Sequence, residues 1–289
     1  MNRTPTVIHA HTGHINAVLF SADSRTLLSA GMDNVVKLWS VGAWQLLGAC
    51  EGHTKSVNAM SFSPTNEILA TASSDETVRL WAYPEGRQIR TLAASGSYVK
   101  FAPDGRHIFT AHRNKGRLFS FPEEDELVTI TAHEKKLHSA SFSPDGRVLA
   151  TAGLEHEVYL WEMPLGNPLA RLSGHTDVVR SVAFSHDGSF LASTGHEGAL
   201  RLWSTADWAL LGSTQLPGPG VGAIALAPDD GTIAISIDHS VVLVSAESHE
   251  IVDTLPVKAK GVYQGAYSPD GRWLAVAAAD KRVRIWDVL

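Results

Sequence analysis

His53, Ser73 and Asp75 have the residue types of a hydrolytic triad, namely a base, a nucleophile and an orienting acid. Their surroundings argue against that chemistry. His53 precedes Asp75 by 22 residues, and the same interval separates His11 from Asp33, His133 from Glu155 and His175 from Glu197. Each acid is followed six residues later by a tryptophan: Trp39, Trp81, Trp161 or Trp203. One active site does not require four evenly spaced copies of its histidine and acid. A structural device repeated in each unit of a repeat protein does, so these residues are read as holding the fold.

The elements that must position them follow the same period. The aromatic or apolar residue closing each unit falls at Trp39, Trp81, Phe119, Trp161, Trp203, Val244 and Trp286, at intervals of 42, 38, 42, 42, 41 and 42 residues. Within the second unit the apolar stretches are VNAMSF, EILATAS, TVRLW and RQIRTLA, and no segment keeps a helical period. Four strands of about six residues with short turns fill roughly 40 residues. Between the first two strands lie tight-turn sequences such as SPDGR, in which Pro presets φ, Asp bonds back to the backbone and Gly accepts positive φ. The sixth copy, with Asp229, Asp230 and Gly231, reads as one residue longer.

Composition narrows the class. The 289 residues hold 24 basic and 30 acidic side chains, a net charge of −6, with no lysine- or arginine-rich run. That balance gives no support to a nucleic-acid or membrane-surface protein. Cys50 is the single cysteine, so no internal disulfide framework exists, and a reducing, cytoplasmic setting is expected. The first residues, MNRTPTVIHAH, lack the apolar core of a signal peptide, and no apolar run is long enough to span a bilayer. LPGPGVG at 216–222 is Gly-Pro-rich but has no following Lys-Ser or Lys-Thr, so it is a loop and not a phosphate loop. No cofactor motif is present, and none is expected.

These spacings, the Gly52-His53 start and the literal Trp286-Asp287 end resemble the WD-repeat family along essentially residues 1–289. The resemblance implies an all-β fold in one domain, a seven-bladed β-propeller of four-stranded antiparallel sheets. The last unit stops after its third strand, so Thr6–Ala10 is expected to supply the fourth and close the ring. It also implies that in each unit the histidine, a hydroxyl two residues before the acid, the acid and the Trp form a buried hydrogen-bonded chain. Only the second unit has all four (His53, Ser73, Asp75, Trp81), because Gly31, Gly153 and Gly195 stand at the hydroxyl position elsewhere. The sixth unit keeps Ser236 and Asp238, the seventh Asp280 and Trp286, and the third has none of the four. On this reading the chain is broken outside the second unit, and progressively so across units three to five.

Family members bind proteins or peptides on the face carrying the His and acid loops, through positions three and five after the histidine and one before the acid. Carried over, these positions gather His112, Lys136, His138, Arg180 and His196 on units three to five, with Ser95 beside them and Met32 and Tyr263 adding apolar contact. The expected function is a non-catalytic interaction scaffold, monomeric by itself, that takes an acidic or phosphorylated peptide. An ordinary solvated rim is the bland alternative. An enzyme with its site in the central channel, or a sensor module of a larger signalling assembly, are the competing classes. A metal is not expected at His112, His138 and His196, which stand on three different sheets with no close pair.

Overall fold

The computed structural model describes residues 4–289 apart from Asn66, Ala93, Ser95, Ala132, Pro219 and Lys260. Its strands form seven four-stranded antiparallel sheets, the blades of a β-propeller. Blades one to six span 15–50, 57–92, 98–130, 137–173, 179–215 and 221–256, each in chain order from inner to outer strand. Blade seven holds the strands Val262–Tyr267, Trp273–Ala278 and Arg282–Asp287, and its outer strand is Thr6–His9 from the other end of the chain. Thr6 pairs with Ile285 and His9 with Arg282, so the ring closes as the sequence requires. Each inner strand packs against those of both neighbouring blades, all the way round.

Middle strands such as Leu69–Ala72 alternate apolar and small residues and are buried on both faces, because each sheet is sandwiched between two others. Outer strands begin with exposed residues, for example Leu46 and Leu47, and end buried. In blades one to six the outer pairing slips by one residue beside the closing position, Trp39 in blade one and Trp81 in blade two. The turn before the outer strand needs a left-handed residue. Gly86 and Gly166 supply it in blades two and four, but Trp44 and Trp208 adopt φ of 54° and 62° in blades one and five. Their rings offset that strain by packing on Trp273 and Phe184.

The sixth turn is not longer than the others. Ala227 N–H donates to Thr232 O as Ser268 N–H does to Trp273 O, five residues on in both. The glycine is displaced by one place, so Asp230 takes the left-handed position, φ 56°, that Gly271 holds in blade seven. Asp229 still caps the turn by accepting from Gly231 N–H.

Candidate functional site: the buried polar chains and the channel they surround

Blade two contains the chain His53–Asp75–Trp81, but its hydroxyl is Thr71 and not Ser73. Trp81 Nε1–H donates to Thr71 Oγ1 at 2.8 Å, and His53 Nε2 lies 2.7 Å from the same oxygen. The Asp75 carboxylate can only accept, so the neutral imidazole receives the Thr71 hydroxyl proton in a hydrogen bond at Nε2 and carries its own proton on Nδ1. From there it is donated to Asp75, 2.8 Å away. Pairing explains the choice of hydroxyl. Trp81 stands opposite Leu69, so its ring reaches one pleat along the same face to Thr71, whereas Ser73 is a further pleat, about 6.6 Å, beyond. Ser73 instead donates to Lys55 O and accepts from Asp75 N–H.

The same geometry corrects the expectation of broken chains. Ser29, Thr151 and Ser193 stand where Thr71 does, each 18 residues after its histidine. Trp39, Trp161 and Trp203 donate to them at 2.8–2.9 Å, and His11, His133 and His175 complete intact chains to Asp33, Glu155 and Glu197. Gly31, Gly153 and Gly195 are not gaps in these chains. A Cβ on Gly31 would lie 2.6 Å from His14 O, and one on Gly195 would collide with both His175 and Glu197. The extra methylene of glutamate moves the next contact along the loop. Asp33 and Asp75 accept from the amide directly after their histidines, Thr12 and Thr54, whereas Glu155 accepts from Lys135, two residues after His133.

Burial holds His11, His53 and His175 below the usual imidazole pKa, with the neighbouring acids opposing only in part. Burial also works against the charge on Asp75. Hydrogen bonds from Thr77, His53 and Thr54 outweigh it and keep the carboxyl well below the usual carboxylate range.

Three blades depart from this pattern, each in its own way. Blade three has Phe119 for the tryptophan and no histidine, and the Thr110 hydroxyl at the linking position is fully buried with no partner among the described residues. Thr110→Val keeps the shape and removes the orphaned oxygen, so it is expected to raise stability by about 1 kcal/mol; a lower melting temperature would contradict this reading. Blade six is apolar there, with Ile235 and Val244, and Asp238 is not part of a chain but stands exposed near His239. In blade seven Val276 replaces the hydroxyl, so the buried Trp286 Nε1 is unpaired among the described residues, and Asp280 is held instead by Arg284.

Inside the ring lies a cavity of about 770 Å³, the central channel, open on the face of the His and acid loops. Of the residues expected on that face, Lys136, His138, Arg180, His196 and Tyr263 line it; Met32 is exposed, but neither it nor His112 is among the lining residues. Tyr263 stands apart from the donors, stacked on His14 in blade one. Ser95 lies outside the described residues. The donor sector is not wholly free of carboxylate, because Asp177 approaches His196 Nδ1 at 3.3 Å. Burial, helped by the charges of Arg180 and Lys136, pushes the His138 pKa down to about 4. Its Nε2 is buried without a partner among the described residues.

Lys100, on the inner strand Tyr98–Phe101, also lines the channel and was not singled out by sequence reasoning. A signal was available. Lys100 precedes Phe101 where the other six units have Leu19, Ser61, Ser141, Ala183, Ala225 and Ala266, and register confirms that the seven positions match. Among the described residues no group of three or more His, Cys, Asp or Glu side chains converges as a metal site.

Comparison with known proteins agrees with the blade-by-blade account. The family model described as WD domain, G-beta repeat matches residues 3–40, 44–82, 124–162, 166–204 and 250–287, about two thirds of the chain. The stretches between matches cover most of blades three and six, where both the histidine and the tryptophan of the polar chain are missing. The comparison with curated proteins returned no match. Propellers of this type commonly mediate protein–protein interaction and are generally non-catalytic. By its repeats and its ring of seven blades, the chain belongs to the WD-repeat family, WD domain, G-beta repeat.

Proposed function

We propose that this propeller is a non-catalytic interaction platform that receives an acidic or phosphorylated segment of a partner protein across the open mouth of the channel. The observation that carries the reading is the charge at that mouth. Lys136, His138, Arg180 and His196 come from adjacent blades four and five, whereas the one carboxylate among the lining residues, Asp238, stands on blade six. Arginine at the rim of a pocket is a favoured anchor for carboxylate and phosphate groups. The triad types His53, Ser73 and Asp75 are engaged in the fold, with Ser73 buried and hydrogen-bonded on both sides, which leaves no exposed nucleophile there.

The test is a binding panel of acidic, phosphorylated, neutral and basic peptides presented to the wild-type chain and to the double variant Arg180→Glu, His138→Ala. Wild type should retain acidic or phosphorylated sequences, and the variant should lose them at least about tenfold. Equal retention by both proteins, or no preference for negative peptides in the wild type, sinks the proposal.

A further inference from the structure

We infer that the central channel is itself an anion site, in which a phosphate group entering from the open face is seated among Lys100, His138 and Arg180. The inference deepens the proposed function by naming the group that anchors the ligand, and for a peptide source it rests on that reading. Three unmatched cations carry the argument. Lys100, Lys136 and Arg180 line the channel, and no hydrogen bond or ion pair joins their charged groups to any described residue. Other basic side chains next to the polar chains have found partners: Lys37 with Ala10 O, Arg79 with Gln88, Arg201 with Glu197 and Arg284 with Asp280. The chain as a whole carries a net charge of −6, so an excess of cations in this cavity is not a sample of the average surface.

Lys100 is the most telling of the three. Channel water reaches its side chain, yet protein surrounds it, and that enclosure lowers its affinity for a proton. A lysine charge that faces the channel with no counter-charge beside it is available to pair with an entering anion. The fold does not need a lysine there, since the other six blades manage with leucine, serine or alanine at the matching position. His138 adds a buried Nε2 that no described protein group satisfies. Across the channel, Gly220, Gly222 and Gly261 present no side chains and leave the lumen wide. A volume of about 770 Å³ accommodates a phosphorylated side chain or a small free phosphate ester. Donors that line one channel from three adjacent blades suit a tetrahedral dianion with several acceptor oxygens better than a single carboxylate.

The experiment titrates the full-length chain with pyrophosphate, with a phosphoserine peptide and with the unphosphorylated form of that peptide, by calorimetry at low and moderate salt. Wild type and Lys100→Met are compared, and the thermal melt of each is recorded. The expected result is pyrophosphate binding that weakens with salt and falls at least about tenfold in Lys100→Met, with no loss of melting temperature. As a second readout in the wild type, the His138 ring titration followed by NMR should move to higher pH when pyrophosphate is bound. Equal binding by the two proteins, or no binding of any phosphate probe to the wild type, overturns the inference. Phosphopeptide binding that is unchanged in Lys100→Met overturns the channel site while leaving the rim reading intact. Lys100-dependent pyrophosphate binding without peptide binding supports the channel site, assigns it to a free phosphate ester and counts against the peptide reading.

Discussion

Removal of residues 1–10 should lower the melting temperature by about 10 °C or more and make the protein prone to self-association. The deleted segment contains the strand Thr6–His9, which pairs along Arg282–Ile285 and supplies the outer edge of blade seven. With it go the buried side chains Ile8 and Ala10, the bond from Ala10 N–H to Lys281 O, and the acceptor for Lys37 Nζ at Ala10 O. Burial of an isoleucine contributes about 1.5–3 kcal/mol, and each hydrogen bond about 1 kcal/mol. A loss of roughly 4 kcal/mol or more is therefore expected, and each kcal/mol moves the melt of a domain this large by about 2–4 °C. The newly bare edge, Arg282–Asp287, offers unpaired backbone groups to a second chain. Thermal scans and light scattering of the truncated chain check both effects. An unchanged melt would show that the seam between the two chain ends does not hold the ring.

The second large effect is expected in blade two. Asp75→Ala should destabilise by about 3 kcal/mol or more, since it removes the acceptor for His53 Nδ1–H, Thr54 N–H, Thr77 N–H and the Thr77 hydroxyl together. Thr71→Val, which keeps the shape but deprives Trp81 and His53 of their shared oxygen, should cost about 2 kcal/mol. Ser73→Ala loses one bond to Lys55 O in the neighbouring loop and one from Asp75 N–H, neither of them part of the polar chain, and should cost about 1 kcal/mol. If Ser73→Ala proved more damaging than Thr71→Val, the assignment of the linking hydroxyl would be wrong.

The pH dependence has a definite sign. His11, His53 and His175 are harder to protonate in the folded chain than at the ordinary value of 6.5. Their contribution is complete above that pH, and it is lost as pH falls towards the depressed folded values, because the unfolded chain then binds more protons. The depressed Asp75 carboxyl adds a second loss as pH drops below 3.8 towards its folded value. Scans from about pH 7.5 down to about 2 should show a melting temperature that falls in two stages, and the second should shrink in Asp75→Ala.

The sequence by itself determined the unit count, the β class and the tight turns, apart from the length of the sixth, and with the family resemblance it implied the N-terminal closure. The first three depend on information that is local or strictly periodic: turn residues with preferred φ, short alternating strands, and a near-constant interval between closing aromatics. It also located the histidines, acids and tryptophans of the polar chains, because those recur at fixed distances. It did not place the linking hydroxyl. Thr71 and Ser73 lie on the same face of one strand, and only the cross-strand pairing of Leu69 with Trp81 shows which of them the indole reaches. The constant interval of 18 residues from each histidine was legible, but the interval alone does not say which hydroxyl it selects.

The channel was decided by tertiary structure alone. Lys100, His138 and Arg180 are 38 and 42 residues apart in sequence and belong to three sheets. Their place in the lining of one channel comes from closing seven blades into a ring. No interval along a single strand encodes it.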